Sequence, residues 1–215
     1  MKAIKFLVVA VLASFAAEAT AQLKKDLSEW TRVELSFVAE KFKGENGSSE
    51  YEICDPKGAA FGVMKGISLT NKIPLFLDLG GRLTWTHFKD DDKYGEWKYT
   101  FMNIAIPVNA AYKIAFSSAP NVTILPYFGP NFKFNFLAVN KWESADGKQE
   151  TKSHMLKDDE GDGKVFQFGL NLGVGVNLRS FYVGYNFQPD LSPFQKDGDN
   201  KTKTIQNYVT VGINL

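Results

Sequence analysis

Apolar and polar side chains alternate with a period of two along most of this chain, and this pattern constrains the fold more than any other feature. From Phe166 to Leu178 every even position carries Phe, Leu or Val, while the odd positions carry Gln, Gly or Asn. Such alternation is typical of a β-strand with one apolar face, because successive side chains point to opposite sides of a sheet. Eight segments of this kind are predicted, over residues 31–41, 59–70, 75–86, 102–112, 122–137, 166–178, 181–188 and 208–215.

The connections between the predicted strands alternate strictly between long and short. In an up-and-down sheet this order places all the long connections at one end. Outer membrane barrels have this asymmetry, with short periplasmic turns and longer extracellular loops. The short connections lie near 71–72, 117–121 and 179–180, and the long ones, rich in Gly, Asp, Lys and Ser, cover 44–58, 89–98, 138–163 and 189–203.

Eight strands form an even-numbered sheet that can close on itself and leave no unpaired edge, which hydrocarbon requires. The polar faces contain mostly Gly, Asn, Thr and Ser, which suit a narrow polar lumen better than a surface in water. The prediction is an all-β, eight-stranded, antiparallel up-and-down transmembrane β-barrel with both termini on the periplasmic side. A soluble barrel that binds a ligand in an apolar interior is the alternative.

The first 21 residues have the pattern of a secretory signal peptide. A basic start precedes an uncharged apolar run from Phe6 to Ala17, and small residues at 19–21 occupy the cleavage positions. A membrane-anchoring helix is the alternative, but it needs about 20 apolar residues and Glu18 interrupts this run. We expect residues 1–21 to be removed and residues 22–215 to form one outer membrane β-barrel domain.

The charge of the chain is nearly balanced. It has 25 Lys and Arg residues against 24 Asp and Glu residues, so the formal charge is +1. Binding to nucleic acid needs a concentrated excess of Lys and Arg, and nucleic acid is therefore not an expected partner. The single cysteine, Cys54, cannot form an internal disulfide.

Three segments resemble a known family. They are residues 104–109 (Ile-Ala-Ile-Pro-Val-Asn), 125–130 (Leu-Pro-Tyr-Phe-Gly-Pro) and 168–175 (Phe-Gly-Leu-Asn-Leu-Gly-Val-Gly). Together with the signal peptide and the eight strands, they resemble the porin-family outer membrane β-barrel proteins of the small OmpA/OmpX type. Members typically end in an aromatic residue that the barrel assembly machinery reads, whereas this chain ends in Leu215.

The resemblance implies a monomer in the bacterial cell outer membrane that contacts membrane lipids and lipopolysaccharide and is inserted by the barrel assembly machinery. It implies neither a cofactor nor a catalytic site. Long loops on such a barrel are natural sites for a surface partner, which the sequence does not identify. Two functions stay open: a structural or surface-interaction barrel with a plugged lumen, and a narrow porin-like channel for water, ions or small solutes.

Six charged residues are predicted to point into the lumen, three of each sign. An eight-stranded barrel is just wide enough for its own side chains, and an unpaired buried charge is costly. We therefore expect these groups to pair, in a network that includes Arg32, Glu34 and Arg82. Asp78 and Arg82 lie about 13 Å apart along one strand, and their partners must therefore come from other strands. The predicted lumen charges are Arg32, Glu34, Glu40, Asp78, Arg82 and Lys133.

Aromatic residues cluster near both ends of the predicted strands and predict two girdles at the membrane interfaces. Lys65 disagrees with the pattern, since it shares a face with Phe61 and Ile67. Either its side chain reaches out of the hydrocarbon, or a bulge at Gly66 turns it inward. The girdle is predicted to include Trp30, Tyr112 and Phe181 at the short-turn end, and Phe42, Trp85 and Phe187 at the long-loop end.

Two further patterns could indicate specific chemistry. Asp158, Glu160 and Asp162 match the start of a calcium-binding loop, but the position of the final bidentate Glu is Gly169, so a solvated acidic loop with weak cation contact is expected. His87 and His154 are the only candidates for a general base near neutral pH. The residues around His87 provide no serine nucleophile, and an enzyme is not predicted.

Overall fold

The computed structural model describes residues 23–24, 26–46, 49–91, 93–156, 163–197 and 200–215, so the predicted signal peptide lies outside the described part. Within these ranges the chain forms thirteen strands, and none of the described residues forms a helix long and apolar enough to cross a membrane. The strands are β1 (Leu23–Lys24), β2 (Trp30–Asn46), β3 (Ser49–Cys54), β4 (Lys57–Ser68), β5 (Leu75–Asp91), β6 (Gly95–Tyr112), β7 (Ile114–Phe116), β8 (Val122–Ser144), β9 (Glu150–His154), β10 (Phe166–Leu178), β11 (Phe181–Pro189), β12 (Gln195–Asp197) and β13 (Asn200–Asn214).

Eight of these strands form a closed ring in the order β2, β4, β5, β6, β8, β10, β11 and β13, and β13 pairs with β2 to complete it. Every neighbouring pair in the ring is antiparallel. The short strands β3, β9 and β12 pair with the ends of the long ones, and β1 pairs with β7. The predicted eight-stranded antiparallel up-and-down barrel is therefore confirmed.

Alternation gives the barrel wall two different faces. The outward face is an apolar band, as expected of a surface in contact with hydrocarbon. The inward face is almost completely buried and carries the polar and charged side chains of the sequence pattern. Exposed outward residues include Leu35, Phe37, Phe61, Leu83, Ile104, Phe134, Leu170, Val183 and Val211.

All four long connections contain β-structure, which corrects the predicted loop boundaries. β5 continues to Asp91 and β6 begins at Gly95, so most of the predicted 89–98 loop belongs to two paired strands. The predicted loop 138–163 contains the end of β8 and all of β9. The polar residues of these segments were interpreted as loops, yet they continue the hydrogen-bonded ladders beyond the apolar band.

Lys65 remains on the outward face. The pairing of β4 with β5 is continuous through Gly66, which excludes the proposed bulge. The Lys65 ammonium lies 3.8 Å from the carboxylate of Glu29, which belongs to the segment just before β2 at the short-turn end. Its side chain therefore reaches towards the edge of the membrane, as the other sequence-based interpretation expected.

Candidate functional site

The interior of the barrel is built in layers, and the layer nearest the short turns is aromatic. Trp30 and Phe76 pack with ring centroids 4.7 Å apart, next to Ala111, Leu125 and Tyr127. Trp30 is only 6% exposed, and its indole Nε1 donates a hydrogen bond to Asp78 Oδ1 at 3.3 Å. The prediction that Trp30 belongs to a lipid-facing girdle is therefore wrong.

A network of four charged side chains lies directly above this layer. Arg32 Nε donates to Glu34 Oε2 at 3.1 Å, and Arg82 Nε donates to Glu34 Oε1 at 3.1 Å. A second nitrogen of Arg32 lies 3.6 Å from Asp78 Oδ2. All four residues are at most 2% exposed, and two positive charges balance two negative ones. As expected from their separation on β5, Asp78 and Arg82 find their partners on β2.

Two tyrosines complete the charged layer. The Arg32 guanidinium lies 3.8 Å from the ring centroid of Tyr182, and that of Arg82 lies 4.5 Å from the ring centroid of Tyr208. Cation–π contact of this kind is strongest where water is excluded. The sequence provides space for Tyr182 because it has glycines on the same inner surface: a Cβ at Gly175 or Gly184 would lie 2.1 or 2.3 Å from atoms of Tyr182.

The next layer towards the long hairpins is polar and centred on Lys133. The Lys133 ammonium forms an ion pair with Asp190 and donates to Thr204 Oγ1 at 2.7 Å. Gln167 Nε2 donates to the same Asp190 carboxylate at 3.2 Å. Asp190 lay in a predicted exposed loop, so this partner was missed. On β11 every second residue points inward, and continuing this pattern two residues past Gln188 leads to Asp190.

Glu40 belongs to this polar layer but has neutral partners. Its carboxylate accepts hydrogen bonds from Thr86 Oγ1 at 2.7 Å and from Gln206 Nε2 at 2.8 Å. Tyr208 in turn donates to Gln206 Oε1 at 2.8 Å. The six predicted inward charges are therefore all buried, but they do not form one network: four pair together, Lys133 pairs with Asp190, and Glu40 is held by uncharged donors.

An aromatic cluster closes the end of the barrel that carries the long hairpins. Phe42 stacks on Phe101 with centroids 4.5 Å apart, and Phe194 meets Phe42 edge-on at 5.5 Å. Cys54 and Ala138 complete the cluster. Phe42 is 4% exposed and faces inward, so its assignment to the girdle is also wrong. Trp30 and Phe42 both lie at even-numbered positions of β2, as the inward-facing Arg32 and Glu34 do.

The other predicted girdle residues lie on the outward face. Trp85, Tyr112 and Phe181 are 47%, 42% and 65% exposed, and Phe187 is partly exposed. His87 also lies on this face, where its ring is parallel to that of Trp85 and its Nδ1 is 3.1 Å from Thr100 Oγ1. This places the histidine at the rim of the apolar band.

The mouth at the short-turn end contains a polar pocket of about 320 Å³. Lys113 Nζ lies 3.0 Å from Asp26 Oδ2 and donates to Ser28 Oγ at 2.7 Å. Partial burial alone would raise the pKa of Asp26, but hydrogen bonds from Ser28 and the nearby Lys113 ammonium outweigh it and leave the pKa below its ordinary value. The sequence-based interpretation did not single out this pair.

The predicted cation-contact residues Asp158, Glu160 and Asp162 lie outside the described residues. Among the residues that are described, no group of three or more His, Cys, Asp or Glu side chains is arranged to hold a metal ion.

Comparison with known proteins matches residues 7–214 to the family described as outer membrane protein beta-barrel domain. Three solved structures are also similar. Ail, the attachment invasion locus protein of Yersinia pestis, solved with the heparin analogue sucrose octasulfate, is 11% identical over 86% of this chain and 99% of its own, with a TM-score of 0.42. Neisserial surface protein A is 14% identical over 85% and 97%, with a TM-score of 0.36. The N-terminal β-barrel domain of Pseudomonas aeruginosa OprF is 14% identical over 84% and 97%, with a TM-score of 0.28.

Comparison with curated protein sequences gave no match.

Proposed function

Because the chain belongs to the outer membrane protein β-barrel domain family and lies in the bacterial outer membrane, we propose that its own side chains close its lumen and that its role is structural or surface-interacting. The proposed orientation is that of other outer membrane barrels, with the short turns in the periplasm and the long hairpins outside the cell. The barrel is then a rigid support for the hairpins, and no solute passes through it.

The observation that carries the proposal is the filling of every interior layer by large buried side chains. Arg32, Tyr182, Tyr208, Lys133 and Phe194 come from different strands and connections, and each is at most 2% exposed. Eight strands enclose a space that side chains of this size fill. A path for ions would have to pass the Trp30 layer, the charged layer and the Phe42 cluster in turn.

The narrow channel is the competing function, and the charged layer is the feature that favours it. Rings of charge are a common way to select ions in pores. Here Arg32, Arg82, Glu34 and Asp78 neutralise one another and are packed against tyrosine rings. This arrangement supports a plug held together by ion pairs more than a selectivity filter.

Single-channel recording separates the two functions. The mature chain, residues 22–215, is refolded and added to a planar bilayer, with heat-modifiable migration in gels as the proof of folding. We expect no stepwise conductance. An Arg32→Ala/Arg82→Ala double variant lacks part of the charged layer and serves as the positive control. We expect it to give openings, which would demonstrate that the assay can detect them. Steady, salt-dependent openings of the wild type that change in Arg82→Ala would establish the channel instead.

We also propose that the protein is not an enzyme. His87 is held between Trp85 and Thr100, and its described surroundings support an anchoring role at the membrane rim. The test is the lipid A composition of cells that express the wild type or His87→Ala. We expect the two compositions to be the same, and a lipid modification lost only in the variant would contradict this proposal.

Partners and processing follow from the same proposal. Residues 1–21 are removed during export, the barrel assembly machinery inserts the chain, and the monomer contacts outer membrane lipids and lipopolysaccharide. The mass of the protein purified from outer membranes should correspond to residues 22–215. A protein retaining residues 1–21 would overturn the assignment of the signal peptide.

A further inference from the structure

Beyond the membrane, the ends of β5, β6 and β8 together with β9 form an extracellular sheet whose outer face is covered by charges. Lysines lie directly opposite one another on neighbouring strands, and acidic residues do the same one step further out. The two rows neutralise each other, for example through Lys89 and Glu96 at 2.8 Å and Lys141 and Glu150 at 3.1 Å. The rows are Lys89, Lys98, Lys141 and Lys152, and Asp91, Glu96, Glu143 and Glu150.

The inner face of the same sheet carries aromatic and uncharged polar side chains. Trp97 and Tyr99 continue the inward positions of β6 above the Phe101 cluster, with ring centroids 6.4 Å apart. Trp142, opposite Trp97 on β8, brings its ring to 6.2 Å from it. The Trp97 side chain is 37% exposed. Its indole ring therefore lies on the face of the sheet that points towards the barrel axis and is accessible to solvent.

These residues line a shallow pocket. It measures about 140 Å³ and is formed by the two indoles together with one amide and two hydroxyl side chains. β9 supplies the hydroxyls because it pairs with β8 in the register that sets Thr151 opposite Trp142 and Ser153 opposite Asn140. No lining residue is charged. The pocket lining is Trp97, Asn140, Trp142, Thr151 and Ser153, which we name the indole pocket.

We propose that the indole pocket binds a neutral pyranose ring of a glycan outside the cell. The faces of indole rings are apolar and electron-rich, so they favour contact with the C–H groups on one side of a sugar ring. Sugar hydroxyls need hydrogen-bond donors and acceptors. The amide of Asn140 and the hydroxyls of Thr151 and Ser153 are groups that provide both. The volume suits one ring and is well below that of a pocket for a drug-sized ligand.

The uncharged lining of the indole pocket indicates the class of its ligand, and the face on which the pocket lies indicates where the ligand comes from. The lining has no cation for a phosphate or sulfate group, while the lysines of the sheet are on the opposite face and paired with acids. That opposite face is the one directed towards the surrounding lipopolysaccharide. The indole pocket faces the barrel axis above the Phe42 cluster, so its ligand approaches from the medium.

Saturation-transfer NMR on the whole mature protein tests the site. The protein is refolded in a detergent without a sugar headgroup and mixed at millimolar concentration with lactose, cellobiose or N,N′-diacetylchitobiose. We expect transfer to the ring C–H protons of at least one sugar. Trp97→Ala and Trp142→Ala should each weaken its apparent affinity about tenfold. Trp85→Ala, which removes an indole from the membrane-facing wall, is the matched control and should leave the affinity unchanged.

The outcomes are distinct. Absence of transfer to all three sugars from folded protein overturns the proposal, as does transfer that persists unchanged in both Trp97→Ala and Trp142→Ala. A response to purified lipopolysaccharide alone overturns the external source. The inference rests on the proposed surface role but not on lumen closure. If the protein neither conducts nor binds a sugar, only the proposed glycan site is rejected. If it conducts ions and also binds a sugar, only the proposed closure of the lumen is rejected.

Discussion

The same strands have opposite polarity in the membrane and beyond it. Within the membrane β6 directs Ile104 and Ile106 outward and Asn103 into the lumen, whereas further along it directs Glu96 outward and Trp97 inward. In both regions β6 is paired with β5 on one side and with β8 on the other. The backbone thus tolerates either arrangement, and the medium outside the wall decides which face is polar.

The difference also concerns how charges are used. Inside the lumen a few charges are excluded from water, and each depends on its partner. On the extracellular sheet many charges face water and pair in rows, where each pair contributes little. The following predictions test this difference, from the largest expected effect to the smallest.

Removal of the central acid of the lumen should have the largest effect. Glu34→Ala leaves Arg82 without its acidic partner and Arg32 with only Asp78. Breaking a buried pair costs about 3–5 kcal/mol. Urea unfolding of the protein in lipid vesicles, followed by heat-modifiable gel migration, measures the loss. Glu143→Ala on the extracellular sheet is the control and should cost at most about 1 kcal/mol. Equal losses in the two variants would refute the contrast.

A lysine on the outward face tests the boundary between the two regions. Leu83→Lys places a charge in the apolar band and should destabilise the fold by about 2–4 kcal/mol. Thr100→Lys places the same charge at the rim, beside His87, where the cost should be about 0–1 kcal/mol. The same unfolding assay compares them. If the rim variant were the less stable of the two, the position of the boundary would be wrong.

Added volume in the lumen should be less costly than a lost charge partner. A Cβ at Gly184 would meet Tyr182 at 2.3 Å, so Gly184→Ala should destabilise the barrel by about 1–3 kcal/mol. At Gly81, on the outward face, a Cβ would have nothing within 4 Å, and Gly81→Ala should be close to neutral. Unfolding midpoints of the pair report the difference, and a neutral Gly184→Ala would show that the lumen is loosely packed.

The smallest effect is expected at the mouth on the short-turn side of the barrel. The pKa of Asp26 is below its ordinary value, so its contribution to stability is present at neutral pH and is lost as the pH falls through the pKa of the folded state. Stability measured from pH 7 to pH 3 should therefore decline slightly more steeply for the wild type than for Asp26→Asn. Because the Asp26 side chain is only partly buried, screening by salt should reduce the difference. Parallel pH profiles would show that Asp26 makes no such contribution.

Period-two alternation was sufficient to predict the membrane part of the fold. The hydrocarbon and the narrow lumen impose opposite requirements on adjacent residues, so the pattern of Phe166–Leu178 has one interpretation. The lumen charges could be found in the same way. The expected network of Arg32, Glu34 and Arg82 is present. The partner of Lys133 could not be found in this way, because Asp190 is brought to it by a strand that is distant in sequence.

The extracellular sheet was harder to predict because of one irregularity. The pairing of β6 with β8 shifts between Met102 and Asn103, so that β8 contributes an additional residue, Phe136. Phe134 and Phe136 are outward, yet Lys141 is also outward, and even and odd positions exchange faces between them. A bulge of this kind is local backbone geometry that alternation alone does not reveal. Alternation along β2 places Trp30 and Phe42 inside, whereas their aromatic character favours a girdle position, and the structure follows the alternation.

The closing pair of strands has a consequence for the order in which the protein is assembled. β13 pairs with β2 along its whole length, from Asn200 opposite Asn46 to Asn214 opposite Arg32, so the seam joins the first and the last strand of the ring. Contacts between residues so far apart in sequence form slowly because loop closure must come first. A chain lacking its last strand would present two unpaired edges to the lipid. The ring therefore cannot close until β13 is available to pair with β2, and this strand determines when the barrel is complete.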